Sequence, residues 1–289
     1  MKIAITGASG KLGKLILKNL LTHTSAQNLV AIVRNPEKVE NFRLSGVEVR
    51  RADYSRPETL NPALKNVDRL LLISSSEIMG DRAAQHEAVI RSAIRNNVQL
   101  LVYTSILQAD RTSVSVLGEH RATEARIRDS GIPSVILRNG WYIENYTDNL
   151  PTVLALGALY GASGDGRVAA ASREDLAEAA ARVLIEDGHA GKTYELAGSH
   201  RFTKSELADA ISRWSHRKID YNNLTPEEYR NALAGAGLPA PIAQFLVEAE
   251  LAIAADELNG SSSDLHFLIG RNSRSLHDVL NKIEVQGMT

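Results

Sequence analysis

Residues 2–13 read Lys2-Ile3-Ala4-Ile5-Thr6-Gly7-Ala8-Ser9-Gly10-Lys11-Leu12-Gly13, and the fold is decided there. A short β-branched run comes first, three glycines follow at three-residue spacing, and a helix-length segment, Lys11 to Leu21, comes next. Gly7 permits a tight turn, Gly10 lets backbone N–H groups approach a pyrophosphate, and Gly13 lets the helix pack closely on the strand. The helix N-terminus then faces the anion with its dipole. Strand, glycine turn and helix in that order predict a dinucleotide-binding turn built from Thr6, Gly7, Ala8, Ser9, Gly10, Lys11 and Leu12. A bland Gly-rich βα turn is the alternative. No Gly-Lys-Ser/Thr closes the motif, so it is not the phosphate loop of a nucleoside triphosphatase.

Outward from this turn the same alternation continues. Leu29 to Val33, Val47 to Arg51, Arg69 to Ile73, Leu100 to Thr104 and Ser134 to Arg138 are short runs, several almost wholly apolar. Such runs suit parallel strands covered on both faces. Arg82 to Asn96 and Gly118 to Asp129 are helix-length segments between them. The pattern predicts an α/β fold, a Rossmann-type doubly wound parallel sheet. Past residue 140 the rhythm loosens. Gly157, Gly161, Gly164 and Gly166 mark turns, Arg173 to Asp187 reads as a helix and Thr193 to Leu196 as a strand. Helical stretches follow at Thr203 to Trp214, Thr225 to Ala234 and Pro239 to Leu258, the first two opened by capping boxes, Thr203 with Glu206 and Thr225 with Glu228. The expected organisation is a dinucleotide-binding domain over 1–150, with 167–197 returning to it, and a smaller, mostly helical C-terminal lobe over 198–289 that covers the substrate.

Composition narrows the function. The 289 residues have no cysteine, which excludes disulfides, a thiol nucleophile and Cys-ligated metal. The eight histidines show no His-x-x-x-His or His-Glu-x-x-His spacing, so no metal is expected. Thirty-three basic against 34 acidic residues leave a net charge of -1, which offers nothing to attract nucleic acid. Arg50-Arg51 and the arginines of 121–128 read as solvated faces. No apolar run approaches a membrane span, and Gly7 and Gly10 interrupt the only N-terminal apolar stretch, so a cytoplasmic protein is expected.

Arg34 stands at the end of the second run, 21 residues beyond Gly13. A carboxylate there would bind ribose hydroxyls and repel a 2′-phosphate, whereas a guanidinium binds that phosphate by charge-assisted hydrogen bonds. Arg34 therefore points to NADPH over NADH; a solvated loop arginine is the alternative. Asp53 ends the third run near the expected adenine edge, and Ser74 and Ser75 end the fourth on the adenosine-ribose and pyrophosphate side. Each could equally be a turn residue.

Thr6-Gly7-Ala8-Ser9-Gly10-x-x-Gly13 resembles the fingerprint of the short-chain dehydrogenase/reductases. Glu124, Ser130-Gly131-Ile132, Leu137-Arg138-Asn139-Gly140-Trp141-Tyr142, Asn145, Arg173 to Ala177 and Gly191 to Gly198 resemble its atypical, NmrA-like branch over nearly the whole chain. Ala31 to Pro36, Leu70 to Glu77 and Leu137 to Tyr142 are most similar to the bacterial NADPH-dependent quinone oxidoreductases of that branch. The resemblance implies a monomeric or homodimeric enzyme that passes hydride from NADPH to quinones. It places Asn139, Gly140, Trp141 and Tyr142 along the nicotinamide and substrate side.

One departure matters. None of the eight tyrosines has a lysine four residues later, so the Tyr-x-x-x-Lys pair of the wider superfamily is missing. Val116 and His120 stand where that Tyr and Lys would fall. A ketone reduced to a basic alkoxide needs an acid; a quinone, reduced to a far less basic phenolate-like oxygen, does not. The expectation is therefore hydride transfer to a small quinone-like acceptor, with His120 and Tyr142 as the groups closest to the chemistry. His120 could instead be a helix-surface residue, and Trp141 and Tyr142 could be packing. Two further readings remain: an NADP(H)-sensing regulator without turnover, as some NmrA-like proteins are, and a reductase of a biosynthetic metabolite such as an isoflavone-type substrate.

Overall fold

The computed structural model describes residues 1–77, 80–114 and 118–283. In chain order the elements begin with β1 (Ile3–Thr6), α1 (Lys11–Leu21), β2 (Leu29–Val33), α2 (Glu40–Leu44), β3 (Glu48–Arg51), α3 (Leu60–Ala63), β4 (Arg69–Leu72) and α4 (Arg82–Arg95). Next come β5 (Leu100–Ile106), α5 (Gly118–Asp129), β6 (Ser134–Asn139), α6 (Glu144–Thr147), α7 (Leu150–Leu156), β7 (Ala158–Gly161), α8 (Arg173–Ile185) and β8 (Thr193–Leu196). The last are α9 (Lys204–Ser215), β9 (Asp220–Asn223), α10 (Pro226–Gly235), α11 (Ala240–Ala254), α12 (Ser263–Ile269) and α13 (Leu276–Leu280). The chain divides into two compact units: Met1–Ile106, Glu119–Asn139 and Arg173–Tyr194 form one, and Leu107–Gly118, Gly140–Ser172 and Glu195–Thr289 the other.

In the first unit the sheet runs β3-β2-β1-β4-β5-β6-β8, and the pairs from β3 through β6 are parallel. The order reverses between β1 and β4, which makes the crevice beyond the C-terminal end of β1 the place where a ligand binds in such a sheet. The period of two assigns the faces. Ala4, Val30, Ile32, Leu70, Leu72, Leu101, Tyr103 and Ile136 pack with Leu60 of α3, Val89 and Ile90 of α4 and Ile127 of α5. Ile3, Ile5, Ala31, Leu71 and Val102 are buried on the other face, on the side of α1 and α8. Both faces are covered, which is why the strands read as almost unbroken apolar runs.

In the second unit β7 and β9 form a two-stranded parallel sheet, with Ala158 opposite Asp220. Neither strand shows in the sequence: β9 is Asp220-Tyr221-Asn222-Asn223, polar and mostly exposed, and carries no apolar alternation. The capping boxes at Thr203 and Thr225 form as expected, each threonine accepting from the backbone N–H of its glutamate. A third, Ser275 with Asp278, opens α13.

The units do not follow the boundary at 150. Residues 140–150 fall in the second unit because their backbone is tied there. Gly140 N–H donates to Leu196 C=O (3.0 Å), Ala171 N–H to Trp141 C=O (2.9 Å) and Ile143 N–H to Ala171 C=O (3.1 Å). Residues 107–118 join it as well, Gln108 N–H donating to the Glu195 carboxylate at 2.9 Å. Among the described residues, no helix is long and apolar enough to cross a membrane.

Candidate functional site

The glycine turn sits between β1 and α1 as the spacing predicts. Gly7 takes φ 61°, a left-handed conformation that favours glycine, and Gly10 N–H donates back to Gly7 C=O at 2.9 Å. A Cβ on Gly13 would lie 2.6 Å from the Gly7 carbonyl oxygen. The first helical turn presses on the strand end that closely. Gly10 is the N-cap of α1; no side chain caps the helix and its first turn holds no acid. Its N-terminal N–H groups are left to an anion from outside, with the helix dipole behind them.

Of the seven turn residues, Gly7, Ser9, Gly10 and Lys11 reach the surface, while Thr6, Ala8 and Leu12 are buried. The Thr6 hydroxyl already donates to Leu71 C=O (3.0 Å) and accepts from Ile73 N–H (3.2 Å), with Tyr54 Oη at 2.5 Å. Its side chain therefore does not face a ligand. Tyr54 Oη also lies 2.8 Å from Ile73 C=O and so joins the ends of β1 and β4 beneath Gly7.

Beside the turn is a cleft of about 420 Å³, lined by Ser9, Arg34, Asn35, Lys38, Arg51, Ala52, Asp53, Arg56 and Thr59. Parallel pairing places Val33 opposite Arg51, which brings the loops after β2 and β3 together at its rim. Arg34, Lys38 and Arg51 have no ion-pair partner among the described residues; Arg56 is paired with Glu58 at 3.1 Å. Like charges gathered in one cleft repel one another unless an anion joins them. Asp53 lies in the same cleft, and its carboxylate accepts the Ser55 N–H in a turn (3.0 Å). Ser9, Arg34 and Asp53, expected at the cofactor from the sequence, all line this cleft, and Lys38 and Arg51, which no motif marks, line it with them. Arg50-Arg51 looks like a solvated pair. In the strand the two alternate: Arg50 pairs with Glu48 and donates to the carbonyls of Ala63 and Lys65, while Arg51 lines the cleft.

Ser74 and Ser75 lie in the loop beyond β4, which two buried groups hold from below. Ser74 N–H donates to Thr104 Oγ1 (2.9 Å), and Ser75 N–H donates to His86 Nε2 (2.8 Å). With Nε2 accepting, the His86 proton is on Nδ1, facing Thr123 Oγ1 at 2.9 Å. Thr123 in turn donates to Glu119 C=O at 2.9 Å.

His120 is on the inner face of α5 rather than its surface, and is 4% exposed. Arg82 Nη2 lies 3.2 Å from Nε2, and Tyr103 Oη lies 2.8 Å from Nδ1. Arginine can only donate, so Nε2 accepts and the proton is on Nδ1. Burial, then the Arg82 charge, then His86 push the ring's pKa down to about 3. His86 is held down to about 3 by the same two leading causes, burial and Arg82. His120 is thus neutral, with both nitrogens engaged. Val116 lies outside the described residues. Glu124, at 1% exposure, takes Arg138 in a two-pronged pair (3.0 and 2.8 Å) and the Ser105 hydroxyl at 2.6 Å, which locks α5 to β5 and β6.

Asn139 ends β6 and is 4% exposed; its Oδ1 is buried without a hydrogen-bond partner among the described residues. Gly140, Trp141 and Tyr142 belong to the second unit. A Cβ on Gly140 would meet the Leu196 carbonyl oxygen at 2.9 Å, so its glycine is a packing requirement. Tyr142 is half-buried and bridges to Ala171. Trp141 is half-buried against Phe245, ring centroids 6.1 Å apart.

An uncapped helix end behind a glycine turn, next to a cleft with unpaired cations, defines a dinucleotide-binding Rossmann protein. The chain belongs to the NAD(P)H-binding family, whose pattern matches residues 7–187. It is 42% identical to Quinone oxidoreductase 2 of Escherichia coli strain K12 over 281 residues, 97% of this chain and 98% of that protein. The crystal structure of the E. coli NADPH-dependent quinone oxidoreductase in complex with NADPH superposes with a TM-score of 0.93 at 42% identity, covering 97% of this chain and 99% of that one. The Citrobacter sp. triphenylmethane reductase complexed with NADP(H) is similar too, with a TM-score of 0.92 at 36% identity, 97% of this chain and 99% of that one.

Proposed function

We propose that this protein transfers hydride from NADPH to quinones or similar flat, electron-poor acceptors. The observation that carries the cofactor half is the cleft where Arg34, Lys38 and Arg51 converge, without ion-pair partners among the described residues, beside the open N-terminus of α1. The helix end and the turn backbone hold the pyrophosphate, and the cations hold the 2′-phosphate, a group NADH lacks. Asn139 supplies an unpaired acceptor at the end of β6, which fits the carboxamide N–H of a nicotinamide. When bound, NADPH supplies the hydride.

The acceptor half rests on the likeness to the E. coli quinone oxidoreductase and on what the residues leave out. His120 keeps its single proton on the Tyr103 side and stays neutral at working pH, so it orders the floor of the site through Arg82 and Tyr103 and does not act as an acid. A quinone that takes two electrons and one proton as hydride becomes a hydroquinone anion. That oxygen is weakly basic and takes its second proton from water. The protein's contribution is then orientation and exclusion of water.

The test follows NADPH absorbance with purified protein and a panel of small quinones, with NADH alongside. Quinone-dependent, NADPH-selective oxidation is the expected result. Tight NADPH binding with no turnover on any quinone would overturn the reductase reading and leave a dinucleotide sensor.

A further inference from the structure

Among the described residues of the second unit, Trp141 Nε1, Tyr146 Oη, Ser163 Oγ and Ser215 Oγ are buried without a hydrogen-bond partner, and the first two lie on one short segment. Tyr146, on α6, has its ring edge-on against Phe202 (centroids 5.8 Å apart, planes at 72°) and the Lys204 ammonium 5.2 Å from its ring centroid. Lys204 itself is paired with Glu250 of α11 at 2.7 Å. The Tyr146 hydroxyl is buried and has no hydrogen-bond partner among the described residues. Burial, then the Glu250 carboxylate, then the neighbouring phenols of Tyr229 and Tyr221 keep its proton on. Five residues earlier, Trp141 Nε1 is also buried and also without a partner among the described residues. Trp141 and Tyr146 both lie against α11, the first on Phe245 and the second beside Glu250.

Folded proteins leave few buried polar atoms unpaired, because water satisfied them before folding and the loss is not recovered. Two such atoms on one short segment imply a partner that is brought in. Its chemistry is constrained. An indole N–H only donates, and a phenol that keeps its proton can donate as well, so a partner that carries acceptors satisfies both. The rings packed on the two donors, Phe245 on Trp141 and Phe202 on Tyr146, favour a flat, apolar body. A quinone meets both conditions, with carbonyl oxygens at the rim of a flat ring and no N–H or O–H of its own.

We propose that Tyr146 Oη, seconded by Trp141 Nε1, donates hydrogen bonds to acceptor carbonyl oxygens, and so selects carbonyl-bearing acceptors over carbonyl-free ones of the same shape. This rests on the quinone-reductase reading above. Tyr146 is in this view a specificity-determining residue that holds substrate. A fixed water on Tyr146 is the competing explanation, and it predicts no effect on acceptor choice.

The experiment compares wild type with Tyr146→Phe, which deletes only the hydroxyl, and with Trp141→Phe. Binding of menadione and of a methylnaphthalene to the NADP+-loaded protein is read by tryptophan fluorescence. Menadione KM and kcat are measured with NADPH. Removing one hydrogen bond from Tyr146 should weaken menadione binding and raise its KM about fivefold to tenfold. Methylnaphthalene binding and NADPH affinity should stay as in wild type, and the unfolding midpoint should not fall, since the hydroxyl removed has no partner among the described residues. Trp141→Phe should shift menadione in the same direction. Unchanged menadione binding in Tyr146→Phe, or an equal loss for the hydrocarbon, overturns the proposal while the reductase reading stands. A wild type that binds NADPH but neither binds nor reduces menadione overturns both.

Discussion

Replacing Arg34 with alanine is the most direct test of the cleft. The guanidinium is exposed at the end of β2, so its attraction for a 2′-phosphate is screened by water. At 4 Å in bulk water each charge pair is worth about 1 kcal/mol, so a phosphate bearing close to two charges gains about 2 kcal/mol from Arg34. Mutational values for a hydrogen bond to a charged group, ~1.5–3 kcal/mol, bracket the same figure. Lys38, Arg51 and Arg56 stay in the cleft and soften the loss, which puts Arg34→Ala in the lower half of that range. NADPH affinity should fall about 10- to 30-fold. NADH has a hydroxyl in place of the phosphate, so its affinity should move by less than about twofold. The assay is titration of each cofactor at fixed ionic strength, by protein fluorescence or calorimetry. Salt gives a second readout, because the screening length shrinks from about 10 Å at 0.1 M to about 3 Å at 1 M, and the wild-type preference for NADPH should narrow with it. Equal losses for the two cofactors in Arg34→Ala would refute the assignment, since the residue would then serve the turn and not the phosphate.

The buried histidines give a pH signature. His86 and His120 both titrate near 3 when folded against an ordinary 6.5, so the unfolded rings take protons first. Their contribution to stability is complete above the ordinary value and drains as pH falls toward 3. Each ring should add a slope of about 1.4 kcal/mol per pH unit, seen as a falling urea midpoint from about pH 6 to 5, above the carboxylate range. A flat midpoint there, or the same slope in His120→Gln, contradicts the buried neutral rings. Gly13→Ala drives a Cβ against the Gly7 carbonyl at 2.6 Å. It should destabilise by ~1–3 kcal/mol and weaken NADPH and NADH alike, unlike Arg34→Ala, in paired melting and titration curves. Lys204→Met leaves the Glu250 carboxylate buried without its cation and should lose ~3–5 kcal/mol of unfolding free energy; adding Glu250→Leu should restore much of it. A double variant no better than the single would show that the pair is not the reason.

The parallel sheet was legible because both its faces are covered, and its strands announce themselves as apolar runs between amphipathic helices. Two helices in the second unit were legible for a different reason: Thr203, Thr225 and their glutamates each write a capping box into four residues. β9 was not, because polar, exposed Asp220–Asn223 pairs through its backbone alone and leaves no periodic trace. The unit boundary was hidden for a related reason. Asn139-Gly140 after β6 marks a turn but not where the chain goes next, and the backbone bonds of 140–143 to Ala171 and Leu196 show which unit the later residues join.

The site divides along the same line between local and long-range information. Gly7, Gly10 and Gly13 are legible because a turn is a local object. Arg34 is legible because its distance from the turn is set by one βα unit. Arg51 enters the cleft only through strand register, and the partners of His120 come from α4 and β5, far away in sequence. The absence of Tyr-x-x-x-Lys could be read from the chain, but not what replaced it. A histidine in place of that lysine suggests an acid tuned near neutrality, since its free pKa invites that role. Burial decides otherwise, with Arg82 behind it. A ring shut away from water resists a charge, and a guanidinium 3.2 Å from Nε2 fixes the tautomer and opposes a second proton. A site whose buried histidines stay neutral suits an acceptor whose reduced oxygen can wait for water, and a ketone would not wait.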